Sequence, residues 1–205
     1  MNAWQTVRDG RRLVAAAALA LGLVAAPAAW AQTPAEIQSA LDAAHAKYKD
    51  LQEGKNADYI PALAKVDPKI FGIALVTTDG KVYTAGDVKS QVSIQSISKV
   101  FTMAKVMEES GPDLIAKTIG VDATGMRFNS IVSIELSQKA LGGPEMNSLV
   151  NPGAIATTSM VKGATRDAIW KSILGYYSDF AGRPLTVDQE VFKSEADTNQ
   201  RNQAI

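Results

Sequence analysis

The sequence is most informative at residues 93–101, which read SIQSISKVF. This stretch contains Ser96-x-x-Lys99, and a helix that begins near Ser96 would place both side chains on one face. A serine hydroxyl is a weak nucleophile that needs a base, and the neutral amine of a partly buried lysine can be that base. The pattern therefore predicts a serine nucleophile, Ser96, activated by Lys99. The same tetrad also fits a capped helix with a solvated lysine, so its surroundings have to decide.

A hairpin is predicted directly before this segment. Residues 70–77 have the pattern of a buried strand, Asp79-Gly80 is a turn signal, and residues 81–85 have the pattern of a returning strand. A loop is predicted over residues 142–153, which are rich in Gly, Pro and Asn. Helices are predicted at 35–51, 100–109, 112–119, 154–161, 165–180 and 186–195. Because a lone hairpin is marginally stable, either the helices carry the core or further strands of this sheet are absent.

The composition excludes several classes of protein. With 205 residues and 46% apolar residues, the chain has the size of one domain with an ordinary core. The 21 basic residues balance 21 acidic ones, which argues against a nucleic-acid partner. There is no cysteine, and the single histidine, His45, lies near the apolar stripe of the first helix, where a structural or surface role is expected rather than a catalytic one. We therefore expect neither a metal site nor a cofactor.

The N-terminal segment, residues 1–31, has the layout of a secretory signal peptide. Arginines between positions 8 and 12 precede an uncharged apolar run, residues 13–26, and the small-residue pattern of residues 29–31. We expect cleavage after Ala31 and export to the periplasm. The apolar run is shorter than the roughly 20 residues that span a bilayer, so no stable membrane anchor is expected, although an uncleaved anchor is the alternative.

Five ordered motifs identify a family. They are ADYIPALA at 57–64, SIQSISK at 93–99, FNSI at 128–131, VNPGAIA at 150–156, and KSE at 193–195 with RNQAI at 201–205. From about Gly54 to the last residue, they closely resemble the serine-dependent glutaminases. The resemblance implies an α/β (α+β) fold of the serine β-lactamase and penicillin-binding-protein type, in which a helical cluster packs on an antiparallel sheet.

The resemblance also implies an activity, the hydrolysis of L-glutamine to L-glutamate and ammonia through an acyl-enzyme. Ser96 matches the family's nucleophile and Lys99 its activating partner. The positions that match substrate-contacting residues of the family are Tyr59, Gln95, Ser96, Asn151, Glu195 and Asn202. Two other functions stay open: a truncated, inactive or amino-acid-binding remnant, and another Ser-x-x-Lys hydrolase of the β-lactamase type.

The residue types at these positions suit an amino-acid substrate. An α-ammonium group needs a carboxylate, which Glu195 can supply, and an α-carboxylate needs donors such as Asn202 and Tyr59. Without the resemblance, Tyr59 also fits a core aromatic residue and Asn151 a turn residue. Glu195 and Asn202 are seven positions apart, so they also fit one solvated face of a continuous helix.

The sequence departs from the family pattern in two places. Where the family has Asn-Ala-Gly-Ala, this chain has Pro152 after Asn151, and a proline restricts the preceding residue to extended geometry. If this restriction shifts the loop, Asn151 misses its ligand. Family members also continue past the point that matches Ile205, so the resemblance implies that residues 32–205 are the N-terminal part of a C-terminally truncated catalytic domain with an incomplete sheet. Because family members associate, a homo-oligomer, a dimer or tetramer, is expected for the complete protein.

Overall fold

The computed structural model describes residues 32–136, 144 and 146–205, and the predicted signal peptide lies outside the described residues. The described residues divide into two compact units. The first contains residues 32–51 and 71–88, and the second contains residues 52–70 and the described part of 89–205. The fold class is helix-rich α/β with a small antiparallel sheet.

The first unit consists of one helix and one hairpin. Helix α1 spans Pro34–Tyr48, strand β1 spans Gly72–Val76 and strand β2 spans Val82–Gly86. The strands pair antiparallel, with Gly72 opposite Gly86 and Val76 opposite Val82, so the predicted hairpin is confirmed. Among the described residues, the sheet contains these two strands alone.

Side chains of α1 fix the hairpin beside it. The Gln38 amide donates to the Thr84 carbonyl at 3.0 Å, and the His45 ring stacks on Phe71 with ring centroids 5.2 Å apart. Gly86 has a φ of +72°, and a Cβ there would lie 2.3 Å from both the His45 ring and the Phe71 carbonyl. The chain therefore needs glycine at this position. His45 has the structural role that was predicted for it.

The second unit is built from short helices. A 3₁₀ turn at Gln95–Ile97 leads directly into the long helix that carries Lys99. The helices are α2 (Pro61–Ala64), α3 (Ser98–Ser110), α4 (Pro112–Thr118), α5 (Val132–Glu135), α6 (Asn151–Ser159), α7 (Arg166–Ala181), α8 (Gln189–Thr198) and α9 (Gln200–Ala204).

The core of the second unit lies between α3, α4 and α7. Val106 of α3 is fully buried, and Ile115 of α4 and Ile173 of α7 pack into the same cluster. A second contact joins α2 to α8, where the Ala62 N–H donates to the Ser194 hydroxyl at 3.1 Å. Helices thus carry the core of this unit, which is one of the two alternatives that the sequence left open.

Several predicted helix boundaries are wrong by up to three residues, and a side-chain cap explains one of them. Helix α8 begins at Gln189 rather than at residue 186, because the Asp188 carboxylate caps it by accepting from the Val191 N–H at 3.0 Å. Helix α6 begins at Asn151, inside the predicted loop 142–153. Within the described residues, no helix is long and apolar enough to cross a bilayer.

Candidate active site

A cleft of about 1050 Å³ in the second unit contains the predicted site. Its walls come from the turn before α2, the 3₁₀ turn, and residues of α3, α6, α7, α8 and α9. All seven residues that the sequence singled out line it: Tyr59, Gln95, Ser96, Lys99, Asn151, Glu195 and Asn202. The topology therefore brings together residues that are far apart in the chain.

Ser96 lies exposed in the centre of the 3₁₀ turn. The preceding residue, Gln95, has a φ of +45°, the only positive φ of a residue other than glycine within the described ranges. This conformation costs an L-residue about 1–2 kcal/mol. The Gln95 amide donates to the Ser93 hydroxyl at 3.0 Å, which helps to hold the turn. Such strain concentrates at functional sites, and here it determines how the Ser96 backbone enters the cleft.

Lys99 lies one turn further on, at the start of α3, and is half-buried. Its Nζ lies 2.5 Å from Asn151 Oδ1 and 5.7 Å from the centre of the Phe128 ring. Burial lowers the pKa of the Lys99 ammonium below its ordinary value, which increases the share of neutral amine at a given pH. No hydrogen bond joins Lys99 to Ser96, both of which are described, so the predicted direct contact is not formed here.

Asn151 is the first residue of α6, and a backbone hydrogen bond fixes its position. The Asn151 N–H donates to the Phe128 carbonyl at 2.7 Å. Pro152 is buried in the first turn of α6, where a backbone N–H would have no acceptor within the helix. A Cβ on Gly153 would lie 2.0 Å from the Asn147 carbonyl, so this close approach requires glycine. Asn151 therefore starts a helix instead of adopting the extended geometry expected before Pro152.

Hydrogen bonds run from Lys99 through two asparagines. Asn151 Nδ2 donates to Asn202 Oδ1 at 2.9 Å. Because an ammonium can only donate, Asn151 Oδ1 has to face Lys99, and its Nδ2 therefore faces Asn202. This leaves Asn202 with its Nδ2 group as a donor for a ligand.

Glu195 and Asn202 do not lie on one continuous helix, contrary to the simplest interpretation of their spacing. Helix α8 ends at Thr198 and α9 begins at Gln200, with Asn199 as the cap of both. The Asn199 amide donates to Glu195 Oε1 at 3.2 Å. Glu195 and Asn202 are nevertheless half-buried and line the same cleft, and their contact with a ligand stays a prediction.

Tyr59 lies in the turn before α2, and 65% of its surface is exposed. It is therefore not the core aromatic residue that its sequence also allowed. Its ring forms part of the cleft wall.

Sequence reasoning missed two polar residues beside the site, Asn199 and Tyr177. The Tyr177 hydroxyl donates to the Ser98 carbonyl at 3.2 Å and contacts the Thr102 hydroxyl, which ties α7 to the first turn of α3. A signal for Asn199 was present, since asparagine is favoured at helix caps. Tyr177 gave no such signal, because its partners lie on another helix.

Comparisons with known proteins agree with this geometry. A family model described as Glutaminase matches residues 54–205. A glutaminase of Colwellia psychrerythraea is 53% identical over 169 residues, which cover 82% of this chain and 53% of that protein. A glutaminase of Brucella canis is 48% identical over 169 residues, with 82% and 52% covered. The chain thus spans about half the length of the curated relatives it matches.

A solved structure, the probable glutaminase ybaS, superposes with a TM-score of 0.78 at 40% identity. The alignment covers 84% of this chain and 55% of that one. The fold is therefore the serine β-lactamase-like fold of the glutaminases, as the motifs implied. Since the family model matches most of the chain and the relatives share about half of its aligned residues, the chain belongs to the glutaminase family.

Proposed function

We propose that the protein hydrolyses L-glutamine to L-glutamate and ammonia with Ser96 as the nucleophile. The observation that carries the proposal is one cleft in which the exposed Ser96, the desolvated amine of Lys99 and the amide pair Asn151–Asn202 converge, with Glu195 on the same wall. The relatives at 53% and 48% identity are named glutaminases, which supports this substrate.

The cleft offers complementary groups to both ends of an amino acid. The Glu195 carboxylate binds the α-ammonium, and the Asn202 Nδ2 group with the Tyr59 hydroxyl donates to the α-carboxylate. Gln95, which precedes the nucleophile, contacts the substrate beside the scissile amide. The side-chain amide of glutamine is neutral, so it needs hydrogen-bonding groups rather than a counter-charge.

The reaction then follows acyl transfer in two halves. Neutral Lys99 takes the Ser96 hydroxyl proton as Oγ attacks the amide carbon, and the backbone N–H of Ser96 stabilises the oxyanion. The C–N bond breaks, Lys99 returns the proton to the leaving nitrogen, and ammonia departs from a glutamyl ester of Ser96. Water then attacks the ester with Lys99 as base, and the proton returns to Ser96 Oγ as glutamate leaves.

The resting contact of Lys99 explains what has to change during turnover. Its Nζ donates to Asn151 Oδ1 at 2.5 Å, so the amine has to exchange this partner for the Ser96 hydroxyl. A lysine side chain has enough rotatable bonds to do so within the cleft.

The test is ammonia release from L-glutamine by the protein expressed from its complete reading frame. Ser96→Ala should lower kcat by at least about 1000-fold, because removal of the nucleophile leaves only binding and oxyanion stabilisation. The matched control is Ser159→Ala, an exposed serine of α6 whose hydroxyl bonds only its own helix, and it should retain wild-type activity.

Three results would overturn the proposal. Ser96→Ala with more than a few percent of wild-type activity would exclude Ser96 as the nucleophile. Turnover of a chromogenic β-lactam without turnover of glutamine would favour a β-lactamase-type hydrolase. Saturable glutamine binding by the wild type without ammonia release would identify an amino-acid-binding protein.

We also propose that residues 1–31 direct export to the periplasm and that the protein self-associates. The layout of the signal peptide supports the first proposal, and the association of family members supports the second. N-terminal sequencing of protein from a periplasmic extract should begin at Gln32, whereas retention of Met1 would contradict cleavage. Light scattering should give a dimer or tetramer, and a monomer at micromolar concentration would exclude the second proposal.

A further inference from the structure

We propose that Asn199 is a positioning residue that orients Glu195 and Asn202 for the two charged groups of the amino-acid substrate. The inference rests on the proposed function, because it assigns to Asn199 a role at the same end of the same cleft. The main chain turns at Asn199, between α8 and α9, and the side chain is half-buried in the cleft wall.

Asn199 contacts both proposed substrate-binding residues. Its Nδ2 donates to Glu195 Oε1 at 3.2 Å, and its Oδ1 accepts from the Asn202 N–H at 3.4 Å. The side-chain amide of Asn199 therefore fixes both the rotamer of the Glu195 carboxylate and the first turn of α9. Because Asn202 Oδ1 accepts from Asn151, the orientation set at Asn199 extends to the asparagine that holds Lys99.

The neutrality of the Asn199 amide beside Glu195 matters for substrate binding. No lysine, arginine or histidine in the described part of the chain forms an ion pair with Glu195. A neutral amide satisfies one oxygen of Glu195 without cancelling its charge, and the other oxygen stays available for an ammonium. A basic residue at position 199 would instead compete with the substrate's own ammonium for the carboxylate.

Asn199 also has a structural role, and the two roles predict different effects of substitution. As the N-cap of α9, asparagine is replaced well by aspartate, since both supply a side-chain acceptor. As the donor to Glu195, asparagine is not replaced by aspartate, which loses the N–H and places a second carboxylate beside the first. Asn199→Asp therefore separates positioning from capping.

The experiment measures kcat, KM for L-glutamine, the Kd for L-glutamate by calorimetry, and Tm, in the protein expressed from its complete reading frame. Asn199→Asp should retain the wild-type kcat, lower Tm less than Asn199→Ala does because it keeps the cap, and raise both KM and Kd roughly tenfold, since the hydrogen bond that holds the Glu195 rotamer is lost and repulsion moves the carboxylate. Asn199→Ala should raise KM and Kd to a similar extent and also lower Tm, because it loses the cap.

The matched control is Gln203→Ala. Gln203 lies on α9, and its amide donates to the Ala196 carbonyl, so it links the same two helices outside the cleft wall. It should leave KM and Kd within about twofold of wild type. An equal rise in KM for Gln203→Ala would show that general helix packing is responsible and would overturn the inference.

The remaining outcomes are also decisive. Suppose that the wild type turns over glutamine and that Asn199→Asp leaves KM and Kd unchanged. This result overturns the positioning role of Asn199 and leaves the proposed function standing. A variant with lowered kcat and unchanged KM does the same. If the wild type neither turns over glutamine nor binds glutamate, the proposed function falls and the inference falls with it.

Discussion

Replacing Glu109 with glutamine tests the ion pair that anchors the helix of Lys99. Lys105 and Glu109 lie on α3, with Nζ and Oε1 2.9 Å apart and side chains that are only 11% and 19% exposed. The other carboxylate oxygen of Glu109 accepts from the Lys162 N–H at 2.9 Å, and the Tyr176 ring covers the Lys105 ammonium at 5.2 Å. The pair thus ties α3 to the segment after α6.

The expected loss follows from this burial. Removing one partner of a buried pair costs about 3–5 kcal/mol, because the other charge stays desolvated and unpaired. The glutamine amide keeps one acceptor for the Lys162 N–H, so we expect Glu109→Gln to destabilise the fold by roughly 2–4 kcal/mol. The control is Asp113→Asn. Its pair with Lys117 has the same helical spacing, but the side chains are 86% and 79% exposed at 3.9 Å, and such a pair contributes at most about 0.5 kcal/mol.

The assay is urea unfolding followed by circular dichroism, with the free energy extrapolated to water. Replacing both partners, Lys105→Met with Glu109→Leu, should recover much of the loss, because no unpaired charge remains.

Burial alone would raise the pKa of Glu109, but the hydrogen bond from Lys162 and the charge of Lys105 outweigh it, so the pKa lies below its ordinary 4.5. The difference between wild type and variant should therefore be constant above pH 4.5 and shrink as the pH falls. A loss no larger than that of Asp113→Asn would refute the reasoning.

Two further predictions concern catalysis. Asn151→Asp places a negative charge beside Lys99, which favours the ammonium and raises its pKa, so the acid limb of the profile of kcat/KM against pH should move to higher pH. A limb that moves to lower pH, or not at all, would exclude Lys99 as the base. Tyr177→Phe removes the hydroxyl that holds the Ser98 carbonyl, so kcat should fall several-fold with a stability loss of about 1 kcal/mol. Tyr176→Phe, which keeps the ring over Lys105, should leave kcat unchanged, and an equal fall in both variants would contradict a specific role for Tyr177.

The local features of this fold were predictable from the sequence, and the long-range ones were not. The hairpin was predictable because Asp79-Gly80 sets its turn and its strands are adjacent in the chain. The placement of Ser96 and Lys99 in one cleft was predictable from their three-residue spacing, although no hydrogen bond joins the two side chains. The partner of Lys99 lies 52 positions away, and only the packing of α6 beside α3 determines that contact.

Local rules also failed where a side chain competes with the backbone pattern. The spacing of Glu195 and Asn202 fits an unbroken helix, but Asn199 caps both neighbouring helices and breaks it. The rule that proline restricts the preceding residue to extended geometry predicted an extended Asn151, which the structure places in a helix. The first turn of α6 accepts Pro152 instead, because the missing N–H has no helical acceptor there.

The direction of the hydrogen bonds explains why these residues are asparagines. In its ammonium form Lys99 supplies only donors, so its neighbour has to accept on one side and donate on the other if the chain of hydrogen bonds is to continue. An aspartate at position 151 would accept a hydrogen bond from Lys99 but could not donate one to Asn202 Oδ1, so the chain of hydrogen bonds would end at residue 151. With asparagine at both positions the donor direction runs from the Lys99 amine to Asn202 Nδ2, where a carboxylate is the complementary ligand. Under the proposed function, the same donor chemistry orients the base and selects an anionic group at the far end of the cleft.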